Sequence, residues 1–330
     1  MSFFENLKVD YKTGSLENYS GRKTQLKNQY WYQEINVADI TLENLDKTTD
    51  IGIIGYACDE GVRRNQGRIG AKNGPKEIRK QLGKIPTHFK NKKITDFGNI
   101  TCKNDHLEDC QDALSKSISK IIENKTLPIA IGGGHDIAFA NFNGIQKALK
   151  NKAKQNIGII NFDAHFDLRP VENIPNSGTP FHQILSENKN VNYFVIGIQE
   201  QANTKELFEI ASANKVSFVT NFECEKFSEV LQKQLHQFIN KVDYLYITID
   251  LDGFSSAYAP GVSATSSLGF SPFFMFSVLS FLSSYLSYQG MSIFNNKTQV
   301  KMGSAFVVIL SCLSVFIFVY LSYLPYLGLS

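Results

Sequence analysis

Ile157-Gly-Ile-Ile-Asn-Phe-Asp-Ala-His-Phe-Asp167 is the stretch on which the fold turns. Residues 157–162 form a short, mostly apolar run, which suits a strand buried on both faces of a sheet. Directly behind it stand Asp163, His165 and Asp167. In extended backbone, residues i, i+2 and i+4 share a side, so these three side chains can converge on one point.

Two further stretches repeat the arrangement. Leu127–Ile131 runs into Gly132-Gly-Gly-His135-Asp136, and Tyr244–Ile249 runs into Asp250-Leu-Asp252-Gly253. Other strand-like runs lie at Ile51–Gly55, Ile94–Gly98, Tyr193–Ile198 and Val216–Val219, with helix-like stretches at 105–124, 136–151, 203–213 and 224–240 between them. This alternation predicts an α/β fold with a mostly parallel sheet covered on both faces. In such sheets ligands bind beyond the carboxyl ends of the strands, where all three motifs fall. The absence of internal repeats and linkers favours one domain. Residues 59–70, rich in Gly and Arg, read as a loop, and Gly74-Pro75 opens a helix through Leu82. The polar first fifty residues, with the lone Trp31, read as an N-terminal extension carrying a short helix or two on the domain surface.

Four carboxylates at one sheet edge repel one another and raise their own pKa values unless a cation neutralises them. Four Asp and two His make a hard-to-borderline oxygen and nitrogen donor set, suited to Mn²⁺ rather than to thiolate-type zinc binding. Each piece also has a blander reading. Gly-Gly-Gly-His-Asp by itself is as readily a tight turn with a capping Asp, and Asp-Gly is a common turn. Only the three together, each behind a buried strand, outweigh packing. The net charge of +3 and the lack of a basic stripe exclude nucleic acid as a partner. The five cysteines, Cys58, Cys102, Cys110, Cys224 and Cys312, show no paired spacing. They read as reduced thiols of a cytoplasmic protein, none of them a zinc ligand.

In this order the motifs resemble those of the ureohydrolase family of arginases, agmatinases and formimidoylglutamases. The flanking stretches Gly55–Gly70, Asp163–Arg169, Ser177–His182 and Ala259–Ala264 are most similar to the formimidoylglutamase branch. The resemblance spans residues 50–272 and implies a three-layer α/β/α sandwich with two Mn²⁺ per chain. It implies one ion on His135, Asp163, Asp167 and Asp250, and the other on Asp163, His165, Asp250 and Asp252, with Asp163 and Asp250 bridging. A water shared by two cations ionises near neutral pH and attacks an amidine carbon. Asp167 would orient it and pass a proton on, with His182 as an outer proton shuttle. The substrate implied is a small amidine, N-formimino-L-glutamate, cleaved to glutamate and formamide in histidine degradation. Agmatine- or arginine-type guanidino compounds are the alternative. For substrate carboxylates the expected contacts are Arg169 as a bidentate clamp and Arg63, while Ser177 and Thr179 would donate hydrogen bonds to the substrate backbone. An ion-paired surface role is the simpler reading for Arg63, Arg64 and Arg68. A homo-oligomer is compatible with all of this.

The ending departs from the resemblance. All 31 acidic residues lie at or before Asp252, and the following 78 residues (330 − 252) carry only Lys297 and Lys301 as charges. The family's later strand, which brings a carboxylate to face the amidine or guanidinium group, thus has no counterpart in composition. Residues 303–324 are uncharged and long enough to span a bilayer. The expected organisation is an N-terminal extension (1–50), a catalytic domain (51–272) and an atypical apolar segment (273–330). Three readings of that segment stay open: a frame-shifted ending, a membrane anchor that would make the protein membrane-associated, or a divergent soluble ending. The first two would leave metal ligands in a chain whose activity is in doubt, at the limit an inactive relic that only binds metal.

Overall fold

The computed structural model describes residues 3–88, 92–152 and 156–288. They divide after Lys150 into two compact units. In the first, β1 (Val9–Lys12), β2 (Ile35–Val37), β3 (Ile51–Ala57), β4 (Ile94–Cys102) and β5 (Leu127–Ile131) form one sheet in the order β1-β4-β3-β5, with β2 also pairing with β4. β1 runs antiparallel to β4, and the other pairs are parallel. Its helices are α1 (Trp31–Glu34), α2 (Glu60–Arg64), α3 (Gly74–Leu82), α4 (Leu107–Glu123) and α5 (Ile137–Leu149). Ile54, Tyr56, Phe97, Ile100, Leu114 and Ile118 share a core between strands and α4.

The N-terminal segment is more than a surface extension. It does carry two short helical turns, the 3-10 turn Leu16–Asn18 and α1, but it also contributes β1 and β2 to the sheet, and Trp31 of α1 is fully buried. Pairing with β4 satisfies backbone groups that would otherwise lie unpaired, so tertiary context overrides polar composition. The stretch 59–70, expected as loop, contains the helix α2.

Arg79 of α3 is buried against β4. Its Nε and Nη2 donate to Asp96 Oδ2 and Oδ1, both at 2.7 Å, and Nη1 donates to Asn99 Oδ1 at 2.7 Å. Tyr19 Oη also donates to Asp96, at 3.0 Å. This network ties the N-terminal segment and α3 to the middle of the sheet.

The second unit is built on β6 (Ile157–Phe162), β7 (Val191–Ile198), β8 (Ser217–Thr220) and β9 (Tyr244–Ile249), all parallel, in the order β8-β7-β6-β9. Its helices are α6 (Pro180–Glu187), α7 (Lys205–Ala213), α8 (Glu229–Ile239) and α9 (Pro272–Tyr288). The chain is thus an α/β sandwich of mostly parallel sheet flanked by helices. α6 and α9 were not foreseen from the sequence. α9 opens the apolar ending, and its Phe274, Met275, Val278, Leu279 and Leu282 join Leu231, Leu235 and Phe238 of α8 in the core over β6. Those spacings of one, three and four residues mark one buried helical face. The first part of the segment therefore folds as core. The run 303–324 lies outside the described residues. Among the described residues no helix is long and apolar enough to cross a membrane, and no strand follows β9.

Replacing Arg79 by Ala strands the Asp96 carboxylate in the core and is expected to cost about 3–5 kcal/mol in urea denaturation. Leu279→Ala is expected to cost about 2–5 kcal/mol. An unchanged midpoint for Leu279→Ala would show that α9 does not belong to the core.

Candidate metal centre

β6 and β9 pair in parallel register, with Phe162 opposite Ile249 at their carboxyl ends. The next residues, Asp163 and Asp250, therefore leave neighbouring strands side by side, about one strand spacing apart. Backbone bonds continue the ladder past the strand ends: Asp163 N donates to Ile196 O at 3.0 Å and Asp250 N to Phe162 O at 2.9 Å. Gly253 keeps the second pair of acids close, because a Cβ there would stand 2.7 Å from the Phe270 ring and 3.0 Å from Asp163 Cα.

Within this unit Asp163, Asp167 and Asp250 each bring a carboxylate oxygen within 4.8 Å of the others, and Asp163, His165 and Asp252 form a second such group. His165 Nδ1 lies 3.1 Å from Asp252 Oδ2 and 3.5 Å from Asp163 Oδ1. Asp167 sits with φ +49°, a left-handed conformation that Asp tolerates better than most residues. Its carbonyl accepts from Phe181 N at 3.2 Å, which tethers it to the start of α6.

The electrostatics of the cluster are those of crowded acids. Burial, then the neighbouring charge of Asp163, pushes Asp252 up to about 7. Burial opposes protonation of His165, but hydrogen bonds to Asp163 and Asp252 outweigh it and push this imidazole up to about 12. Asp252 Oδ1 is buried with no hydrogen-bond partner. Four converging carboxylates, one imidazole and an orphaned carboxylate oxygen fit a cation by charge and by donor type.

The surrounding residues hold the donors in place. Asn161 Nδ2 donates to Asp163 Oδ2 and to Tyr193 Oη, both at 2.9 Å, and Tyr193 Oη donates to Phe166 O at 3.0 Å. Asn203 spans the loop, accepting from Phe166 N at 3.0 Å and donating to Ala164 O and Gln199 O at 2.9 Å each. These supports escaped the sequence reading. An Asn inside a strand and another thirty-six residues downstream of Asp167 carry no local signal.

His135 belongs to the first unit and is buried behind β5, after a turn in which Gly132 and Gly133 take φ +84° and +79°. Asp136 is the residue before α5, but its side chain makes no cap. It accepts from Tyr56 Oη at 2.7 Å instead. A simple turn with a capping Asp does not describe this motif.

The residues expected to contact substrate divide. Arg169 is exposed two residues beyond Asp167, Ser177 is half-buried, and His182 is half-buried in the first turn of α6. Thr179 is fully buried, and its hydroxyl accepts from Asn176 N and donates to Asn176 O, with Gln183 Oε1 also 2.9 Å away. That hydroxyl braces its own loop. Arg63, in the first unit, forms an ion pair with Glu60, and Arg64 pairs with Glu60 and Glu108.

One cluster left no trace in the spacing of its residues. Cys58, Cys102 and Cys110, scattered in the chain and dismissed as ligands for lack of paired spacing, bring their sulfurs within 4.8 Å of one another in the first unit. Hydrogen bonds from Cys110 and Cys58 pull Cys102 down to about 4, and hydrogen bonding with Cys102 pushes Cys58 up to about 12.

The model of the Arginase family matches residues 49–302. The formimidoylglutamase of Clostridium tetani is 39% identical over 287 residues, covering 81% of this chain and 83% of that protein. Among solved structures, Trypanosoma cruzi formiminoglutamase with Mn²⁺ superposes with a TM-score of 0.65 at 24% identity, covering 86% of this chain and 96% of that one. Bacillus subtilis formimidoylglutamase gives 0.68 at 19% identity, covering 90% and 94%. At these identities the structures speak for the fold.

Asn203→Ala removes the clamp on the loop bearing His165 and Asp167 and is expected to lower stability by about 1–3 kcal/mol. Urea denaturation of the variant against the parent protein checks this, and an unaltered midpoint would assign the loop's order to other contacts.

Proposed function

Because the chain belongs to the arginase family, we propose that it is a manganese-dependent hydrolase that cleaves the amidine C–N bond of N-formimino-L-glutamate to give L-glutamate and formamide. The observation that carries this reading is the in-register exit of Asp163 and Asp250 from β6 and β9, with Asp167, His165 and Asp252 gathered around them. We assign one Mn²⁺ to His135, Asp163, Asp167 and Asp250, and a second to Asp163, His165, Asp250 and Asp252. Bound there, the ions supply Lewis acidity that brings a water toward ionisation at neutral pH.

The chain's own residues do the rest. Asp167, held by its left-handed backbone and by Phe181 N, is placed to take the proton of the attacking water and return it to the leaving glutamate nitrogen. His182, half-buried in the first turn of α6, exchanges that proton with solvent. The substrate's two carboxylates call for fixed cations and hydroxyl donors, and exposed Arg169 with Ser177 fits that need. The small-molecule substrate and the free thiols of Cys58, Cys102, Cys110 and Cys224 suit a cytoplasmic enzyme.

One observation favours a second reading, metal binding without turnover: residues 253–330 contain no Asp or Glu, so none of them brings a side-chain carboxylate to the amidinium group. Assaying the Mn²⁺-loaded protein on formiminoglutamate, agmatine and arginine separates the readings. Turnover of formiminoglutamate alone is the expected result. Turnover of a guanidino compound would reassign the substrate, and two bound ions with no turnover at all would establish the second reading.

Asp163→Asn is expected to abolish turnover and to lower metal content measured by elemental analysis. Retention of both ions with full activity would end the bridging assignment. Arg169→Ala removes a charge-assisted contact worth roughly 1.5–3 kcal/mol, so kcat/KM for formiminoglutamate should fall about 10- to 100-fold. The loss should appear mainly in KM and should spare an uncharged amidine. Equal losses on both substrates would remove Arg169 from the carboxylate clamp.

A further inference from the structure

The first unit holds a cluster of ligand-type side chains that the hydrolytic chemistry leaves unused. Cys58 follows β3, Cys102 is the last residue of β4, and Cys110 lies in the first turn of α4. β3 and β4 are adjacent parallel strands with Ala57 paired to Thr101. The residues just beyond that pair, Cys58 and Cys102, therefore stand side by side at the sheet edge, as Asp163 and Asp250 do in the second unit. The chain leaving β4 turns into α4 and returns Cys110 to them, and all three sulfurs lie within 4.8 Å of one another. Cys58 and Cys110 are 1% and 0% exposed, whereas Cys102 is only partly buried and gives the cluster a path to solvent. None of the three is in a disulfide.

Three sulfurs around one ion at zinc–sulfur bonding distance sit roughly 4 Å apart, a spacing this cluster meets with little movement. Thiolate donors select soft or borderline d¹⁰ ions, whereas the carboxylate-rich centre of the second unit suits Mn²⁺. The two clusters differ in kind, so they need not compete for the same metal.

We propose that Cys58, Cys102 and Cys110 form a three-thiolate site for a thiophilic divalent cation of the Zn²⁺ class, separate from the manganese centre. Binding releases the thiol protons to solvent and forms three metal–sulfur bonds. A water reaching the cluster past Cys102 completes the coordination. The ion ties the ends of β3 and β4 to the start of α4, adding to the apolar packing of Tyr56, Ile100, Leu107 and Leu114 there. No redox step is involved.

Cobalt is the probe, used on the full chain. Co²⁺ added to the reduced protein should produce an intense near-ultraviolet sulfur-to-cobalt charge-transfer band, abolished by one equivalent of Zn²⁺. Cys102→Ser, at the partly exposed member, should lose the band. Its zinc affinity should fall by more than the roughly 10- to 100-fold that follows loss of an outer support. Cys224→Ser, at a buried cysteine outside the cluster, and Asp163→Asn should both keep the band. Cys110→Ser should repeat the loss; if burial makes that variant misfold, Cys102→Ser decides alone. No sulfur band in the folded parent protein would overturn the proposal, as would a band that survives Cys102→Ser. A disulfide among the three found by mass spectrometry of the native protein would also overturn it.

Discussion

The second unit depends on the register between β6 and β9. A parallel pair with Phe162 opposite Ile249 sends both strands out of the sheet at the same level, and the two residues that follow are both Asp. A slip of one residue would turn Asp250 to the other face and dissolve the cluster, since side chains alternate along a strand. The register is held because both faces of β6 are buried, so every side chain on the strand has a place in the packing. A structure so placed must tolerate converging negative charge. It does so through Asn161, Asn203 and Tyr193, which fix the geometry without neutralising the charge. The remaining imbalance is what a cation would offset.

The same device operates twice. In the first unit the adjacent ends of β3 and β4 present Cys58 and Cys102, and in the second those of β6 and β9 present Asp163 and Asp250. Parallel strands joined through helices place residues far apart in sequence next to one another at one edge. What each edge is suited to bind follows from donor chemistry, with oxygen and imidazole for hard-to-borderline ions and sulfur for soft ones.

The apolar ending begins inside the fold. α9 buries Phe274, Met275, Val278, Leu279 and Leu282 against α8, so its lack of charge is partly the composition of a helix that is core on one face. Phe273 stays 79% exposed, which shows that the helix is apolar beyond what its buried face requires. Composition alone could not separate these two contributions, because it does not say which side of a helix faces protein. The lack of acidic residues in 253–330 matters more for chemistry than for folding, since none of those residues offers a side-chain carboxylate to a cationic substrate group.

Local pattern was enough for much of the fold. Leu127–Ile131, Ile157–Phe162 and Tyr244–Ile249 coincide with their apolar runs; in β6, buried along its whole length, burial on both faces of a parallel sheet writes itself directly into composition. The clustered acids and imidazole of the second unit were legible as polar side chains placed where such a run stops. Tertiary structure alone decided the rest. β1 and β2 are strands because β4 offers them a partner, and Trp31 is buried in a turn whose backbone is tied to Ile85, far along the chain. Cys58, Cys102 and Cys110 meet because strand order made neighbours of β3 and β4 and α4 folded back over their ends. Proximity across a sheet is set by pairing order and register, which involve residues distant in the chain and leave no trace in local spacing.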